Sequence, residues 1–110
     1  MHLTLGLAVA VRPGLTVLTL TGDLDMDTSP YLAEATDSLD LQGRILTLDL
    51  SAVTFIDSCG LTTLLAVRQH IGLAGGTLKL ADLPYQALRL LDLTGTRDLF
   101  TLAEPAPTPS

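Results

Sequence analysis

Four consecutive residues, Asp57, Ser58, Cys59 and Gly60, carry the groups best suited to chemistry or to binding an anion. A β-rich run at 53–56 precedes them, and leucines at helical spacing follow from Leu61, which predicts a change from strand to helix here. The start of a helix has unpaired N–H groups and the positive end of the dipole, and both attract anions. The Ser58 hydroxyl therefore either caps the helix or accepts a phosphate, and the two functions are compatible.

The three neighbours of Ser58 each allow a structural and a functional interpretation. Asp57 is either a turn residue or a group that orients the serine hydroxyl. Because a kinase supplies its own base, we favour a turn residue that also contacts a partner. Cys59 is either a thiol activated at the helix start or a small packing residue, and packing is favoured. Gly60 permits the close approach of a backbone or of a partner.

A second cluster of carboxylates, Asp23, Asp25 and Asp27, follows the second predicted strand. Alternating acidic residues occur in calcium loops, but an EF-hand counted from Asp23 requires glycine at the position that Thr28 occupies here. We therefore interpret the segment as a solvated or partner-facing acidic loop. No metal site and no cofactor are predicted.

Serine hydrolase chemistry is the least favoured interpretation. A nucleophile elbow has glycine two residues before the serine, and Ile56 stands there instead. His70 lies at the far end of the predicted helix, at a rise of about 18 Å from Ser58, and His2 lies near the start of the chain. One cysteine and two histidines also lack the spacing of zinc ligands. No catalytic residue is predicted.

Composition argues against several other classes of protein. The net charge is −6 and the six basic residues are scattered, whereas nucleic-acid binding needs clustered lysine and arginine. No apolar run approaches the ~20 residues of a membrane helix, so no membrane insertion is predicted. The apolar start alternates from Leu3 to Val11 like a strand and lacks the basic residues of a signal peptide. A single cysteine suits a reducing compartment, and we expect a cytoplasmic protein.

The periodicity of apolar residues predicts how the rest of the chain is organised. The predicted strands cover residues 3–11, 15–21, 44–50, 77–81 and 99–102. The first predicted helix is capped by Thr28 or Ser29 and has Pro30 at its first position; the others begin at about Ser58 and at Pro84, and the second stops at Gly72. The first two strands form an antiparallel hairpin, and helical connections make the later strands parallel.

We predict one α/β domain at residues 1–103, with a mixed β-sheet, an N-terminal antiparallel hairpin and three to four helices packed on the sheet. Residues 104–110 contain several prolines and are predicted to be a disordered tail.

Two motifs in this framework resemble those of a known family. The run 55–61, Phe-Ile-Asp-Ser-Cys-Gly-Leu, resembles the phosphorylation-site motif of STAS domains of the anti-sigma factor antagonist group. The run 21–25, Thr-Gly-Asp-Leu-Asp, is similar to the turn that closes the family's second strand. The resemblance extends from about Leu3 to Leu102. It departs from the family pattern at Cys59, where serine or threonine is usual, and at Thr62, where glycine is frequent.

The resemblance implies a non-enzymatic regulator. The unphosphorylated protein would bind an anti-sigma factor serine kinase and so release a sigma factor, and phosphorylation of Ser58 would switch this binding off. A serine phosphatase is a further candidate partner. The implied partner-binding residues are Asp23, Asp25, Asp57, Ser58, Cys59 and Gly60. The alternatives are a non-switching STAS subunit of a larger complex, for example in lipid transport, and, last, a small hydrolase that uses Ser58 or Cys59.

Overall fold

Strands and helices alternate after an initial hairpin, as the apolar periodicity predicts. The computed structural model describes residues 5–103. Its elements are, in chain order, β1 (Gly6–Arg12), β2 (Leu15–Leu24), α1 (Ser29–Asp37), β3 (Ile45–Ile56), α2 (Ser58–Leu73), β4 (Thr77–Ala81), α3 (Tyr85–Thr94), a 3-10 turn (Arg97–Leu99) and β5 (Thr101–Leu102).

The five strands form one mixed sheet in the order β1-β2-β3-β4-β5. β1 and β2 pair antiparallel, and every later pair is parallel. The three helical crossovers all step across the sheet in the same direction. Because parallel crossovers are right-handed, they place α1, α2 and α3 on one face of the sheet. The predicted α/β class and the N-terminal hairpin are therefore confirmed.

The core lies between this face and the helices, and it is aliphatic. Alternate residues of the central strands are buried while their neighbours are half-buried, which is the period of a strand with one covered face. The buried strand residues include Leu18, Leu20, Leu46, Leu48, Leu50, Leu78 and Leu80, and the helices add Leu32, Leu64, Val67, Ile71 and Leu91.

β2 is longer than predicted, because it continues through Gly22 to Leu24. Gly22 has a φ of 104° and lies next to a register shift between β2 and β3. Such a conformation suits glycine, and here it forms a bulge inside the strand rather than ending it. Asp23 therefore belongs to the end of β2 and not to the loop.

β3 is likewise one strand of 12 residues, whereas the sequence predicts a strand at 44–50 and a separate β-rich run at 53–56. The intervening residues, Ser51 and Ala52, stay extended because Ala52 pairs with Thr21 of β2. The two strands therefore run side by side up to the Leu24–Ile56 pair.

Smaller differences occur at other element ends. α2 continues one residue past Gly72, to Leu73, and the last predicted strand is a 3-10 turn followed by the two residues of β5. β4 has the predicted bounds. The predicted disordered tail at 104–110 and the first residues of the first predicted strand lie outside the described residues.

Candidate functional site

The ends of β2 and β3 bring the two motifs of the sequence together. Leu24 pairs with Ile56 in register, and the Asp57 N–H donates a hydrogen bond to the Leu24 carbonyl at 3.3 Å. Parallel neighbours end at the same edge of a sheet. The acidic segment after β2 and the start of α2 after β3 therefore form one continuous surface.

The N-cap of α2 is Asp57 and not Ser58. The backbone of Asp57 is extended, with φ −100° and ψ −176°, and its Oδ1 accepts a hydrogen bond from the Gly60 N–H at 2.8 Å. This carboxylate satisfies one of the unpaired donors of the first helical turn, and its charge lies at the positive end of the dipole. The interpretation of Ser58 as the helix cap is therefore wrong, and Asp57 is the turn residue that we favoured.

Ser58 is the first helical residue, and its side chain is exposed. Asp57 performs the capping function, so the serine hydroxyl stays available at a helix start where a phosphate is electrostatically tolerated. Cys59 is also exposed, so it does not have the packing function that the sequence favoured.

Gly60 is required by the close contact between α2 and β2. A Cβ added at Gly60 would lie 2.3 Å from the Leu24 carbonyl oxygen and 3.0 Å from Cγ2 of Ile56. Real side chains do not approach so closely, so a larger residue would force the helix start away from the strand. The prediction that Gly60 permits close approach of a backbone is confirmed.

The acidic loop is held by a hydrogen-bond network between Asp25 and Thr28. Asp25 Oδ1 accepts hydrogen bonds from the Asp27 N–H at 3.0 Å, from the Thr28 N–H at 3.1 Å and from Thr28 Oγ1 at 3.1 Å. Thr28 Oγ1 also accepts from the Asp25 N–H and lies 2.8 Å from the Asp23 carbonyl. Thr28 precedes α1, but its hydroxyl bonds back into the loop instead of capping that helix. Asp25 therefore fixes the conformation of the loop.

Asp23 and Asp27 have different surroundings. Asp23 accepts a hydrogen bond from the Thr54 hydroxyl of β3, which fixes its carboxylate against the neighbouring strand. Asp27 is exposed. The structure thus brings Asp23 and Asp25 to the same edge of the sheet as Asp57 and Ser58, and three of these four carry carboxylates.

Two exposed apolar side chains at this edge were not anticipated. Met26 is 68% exposed in the acidic loop, and Phe55 is 46% exposed on β3, opposite Asp23. Methionine and aromatic residues are enriched at protein interfaces. A sequence signal existed for Met26, since it is an isolated apolar residue among carboxylates.

Gln86 of α3 was also missed. Its side-chain Nε2 donates to the Ile56 carbonyl at 2.8 Å, and its Oε1 accepts from the Ile56 N–H at 2.9 Å. The two residues are thirty positions apart in sequence, so no local pattern relates them. The residue immediately before the Asp57 cap is therefore attached to α3.

His70 lies in the last turn of α2, at the opposite end of the helix from Ser58. Its Nε2 lies 3.2 Å from Asp37 Oδ1 at the end of α1. Within residues 5–103, no group of three or more His, Cys, Asp or Glu side chains is arranged to hold a metal ion. None of the helices in that part of the chain combines the length and hydropathy needed to cross a bilayer.

Comparison with known proteins agrees with this geometry. The family model of the STAS domain matches residues 7–107. The chain belongs to the STAS domain family. It is similar to the anti-sigma-B factor antagonist of Bacillus subtilis, with 32% identity over 84 residues that cover 76% of this chain and 77% of that protein.

Two mycobacterial proteins extend the likeness over most of this STAS domain. The anti-sigma-F factor antagonist RsfB of Mycobacterium tuberculosis strain H37Rv is 32% identical over 103 residues, which cover 91% of this chain and 84% of RsfB. The crystal structure of an anti-sigma factor antagonist from Mycobacterium paratuberculosis superposes with a TM-score of 0.76 at 30% identity, covering 93% of this chain and 87% of that one.

Proposed function

We propose that this STAS domain is an anti-sigma factor antagonist controlled by phosphorylation of Ser58. In its unphosphorylated form it binds an anti-sigma factor serine kinase and thereby releases a sigma factor. Phosphorylation by that kinase ends the binding, and a serine phosphatase restores it. This regulator acts in the cytoplasm through protein contacts, without catalysis of its own.

The observation that carries the proposal is the free hydroxyl at the start of α2. Ser58 is exposed, Asp57 makes the capping bond in its place, and Gly60 holds the helix start against β2. A kinase needs an accessible hydroxyl in a fixed position, because catalysis of phosphoryl transfer is mainly positioning and electrostatic stabilisation. The names of the B. subtilis and mycobacterial relatives supply the class of partner.

Charge explains how phosphorylation would act as a switch. A phosphate adds about −1.5 to −2 charge at pH 7, next to Asp57 and at the same edge as Asp23 and Asp25. Residues 21–31 and 51–61 contain no lysine or arginine to neutralise it. The dipole of α2 keeps the phosphate compatible with folding, so its main effect falls on a partner that approaches this edge.

The exposed apolar side chains at the edge suit the unphosphorylated state. Met26 and Phe55 provide surface that a partner covers with a gain in free energy. Placing a doubly charged group beside that contact opposes its desolvation. The same surface would therefore bind the kinase before phosphoryl transfer and release it afterwards.

The direct test is phosphate uptake. The purified chain is incubated with a purified anti-sigma factor serine kinase of the source organism and MgATP, and peptides are analysed by mass spectrometry. We expect a gain of about 80 Da, one phosphoryl group, on the peptide that contains Ser58. The Ser58→Ala variant should gain nothing, while Ser51→Ala, which removes another exposed serine of the same region, should be phosphorylated like the wild type.

Two outcomes would contradict the proposal. Phosphate on a residue other than Ser58 would show that a different residue is the phosphorylation site. A stable complex with the kinase but no phosphate uptake would favour the alternative of a non-switching STAS subunit.

A further inference from the structure

β3 extends several residues beyond the end of its pairing with β4. The pairing of β3 with β4 ends at Asp49 and Ala81, whereas β3 itself continues to Ile56. On its other side, β2 accompanies it as far as Leu24. Near Ser58, the backbone N–H and C=O groups of β3 that point away from β2 have no neighbouring strand. They therefore need other hydrogen-bond partners.

Gln86 supplies those hydrogen bonds. Its amide accepts from the Ile56 N–H at 2.9 Å and donates to the Ile56 carbonyl at 2.8 Å. This double exchange is the pattern that two residues make in a hydrogen-bonded pair of an antiparallel sheet, and here one side chain takes the place of a strand. A primary amide can do this because it has both a donor and an acceptor, whereas a carboxylate only accepts.

Ile56 lies two residues before the phosphoacceptor, Ser58. Ile56 is 2% exposed, so its backbone groups have little access to water. The next residue, Asp57, is held on the opposite side by its N–H bond to the Leu24 carbonyl, and its carboxylate caps α2. The backbone that leads to Ser58 is thus fixed from β2 on one side and from α3 on the other.

We propose that Gln86 is a positioning residue for the phosphorylation of Ser58. The inference rests on the proposed function and goes beyond it: the amide of Gln86 fixes the backbone of Ile56, and this presents the Ser58 hydroxyl to the kinase in one orientation. A looser backbone would lower the fraction of complexes in which the hydroxyl is aligned for transfer. Gln86 acts through Ile56 and takes no part in the chemistry.

Steady-state phosphorylation kinetics of two variants test this inference. Gln86→Glu keeps an acceptor for the Ile56 N–H and loses the donor to the Ile56 carbonyl, whereas Gln86→Met keeps a similar length and loses both bonds without adding charge. With the purified kinase and saturating MgATP, we expect kcat to fall about five- to tenfold in both variants, with KM within about twofold of the wild type. Rates are measured where each variant is fully folded.

A matched control separates positioning from charge and from general stability. Gln69→Glu makes the same chemical change at an exposed position of α2, far along the helix from Ser58, and its kcat and KM should equal those of the wild type. Amide hydrogen exchange gives a readout without the kinase. In Gln86→Met, exchange at the hydrogen-bonded amides of Ile56 and Asp57 should accelerate more than exchange at the core residue Leu48.

The outcomes distinguish this inference from the proposed function. If the wild type takes up no phosphate on Ser58, the proposed function fails and the inference falls with it. If the wild type is phosphorylated and both Gln86 variants keep its kcat, the inference alone is overturned. A rise in KM at constant kcat would also overturn it, because Gln86 would then contribute to binding and not to alignment.

Discussion

At the scale of single residues, the site depends on a division of functions between two neighbours. Asp57 and Ser58 are both good helix-capping residues, and the structure assigns the cap to Asp57 because its backbone is the extended one. The hydroxyl of Ser58 is thereby left without a structural task at the start of α2. Under the proposed function, Ser58 can gain and lose a phosphate there without loss of the cap.

This assignment predicts different costs for two adjacent alanine substitutions. Asp57→Ala removes the acceptor of the Gly60 N–H, and we expect it to lower the free energy of unfolding by about 1 kcal/mol. Ser58→Ala removes an exposed hydroxyl and should change it by less than about 0.5 kcal/mol. Equilibrium unfolding in urea measures both. A larger loss of unfolding free energy in Ser58→Ala than in Asp57→Ala would indicate that Ser58 caps α2.

The carboxylate of Asp25 has a structural and a predicted functional role, and two substitutions separate them. Asp25→Asn keeps a side-chain oxygen for the three local hydrogen bonds but loses the charge, so the melting temperature should barely change while binding to the kinase weakens. Asp25→Ala loses the acceptor, and we expect a loss of stability of about 1–2 kcal/mol. Thermal unfolding and calorimetric titration with the kinase give the two quantities.

The matched control is Asp27→Ala, which removes an exposed carboxylate from the same loop and should cost less than about 0.5 kcal/mol. If Asp25→Asn destabilised the fold and still bound the kinase normally, Asp25 would be a structural residue alone.

At the scale of elements, the contact between α2 and the end of β2 determines where the serine lies. The Leu24 carbonyl accepts from the Asp57 N–H and nearly touches Gly60, so the first turn of the helix rests directly on the strand. The acidic loop begins at the next residue, Asp25. The position of Ser58 relative to that loop is therefore a consequence of a backbone contact that only glycine permits.

Two glycine substitutions in the same helix test this contact. In Gly60→Ala the new Cβ would lie 2.3 Å from the Leu24 oxygen, so the helix start must shift, and we expect a loss of at least about 2 kcal/mol. In Gly72→Ala, apart from its chain neighbours and the nearby backbone of its own helix, the new Cβ would meet no described atom within 4 Å. The higher helix propensity of alanine should therefore stabilise the protein by up to about 1 kcal/mol. Urea unfolding of both variants provides the comparison. Equal stabilities for the two variants would show that α2 does not rest closely on β2.

At the scale of the whole molecule, local sequence patterns predict the elements well and their edges less well. Apolar periodicity and helix-start signals predict the α/β class, the hairpin and β4, because these depend on neighbours in sequence. The extension of β2 past Gly22 depends on pairing with β3, and the hydrogen bonds of Gln86 to the Ile56 backbone join residues thirty positions apart. Neither has a local signal. From the sequence, Ser58 is a candidate for the cap of α2, whereas the cap is Asp57; aspartate and serine cap about equally well, and only the backbone conformation distinguishes them.

The sequence predicts which residues form the site, but it does not predict how they are arranged. The acidic loop lies next to the start of α2 because β2 and β3 pair up to Leu24 and Ile56. Phe55 is exposed beside the register shift near the ends of β2 and β3, whereas Met26 is exposed in the loop that follows β2. The position of the loop and the exposure of Phe55 both depend on tertiary structure.

The central claim is that the charge on Ser58 decides whether the anti-sigma factor kinase is bound. Titration calorimetry of the purified kinase with four forms of the chain tests it most directly: the wild type, the wild type phosphorylated on Ser58, Ser58→Ala and Ser58→Asp. All four should fold, because a negative charge at the start of α2 is favoured by the dipole. We expect Ser58→Ala to bind like the unphosphorylated wild type, and both negatively charged forms to bind at least about tenfold more weakly. Equal affinity of the phosphorylated and unphosphorylated wild type would contradict the account.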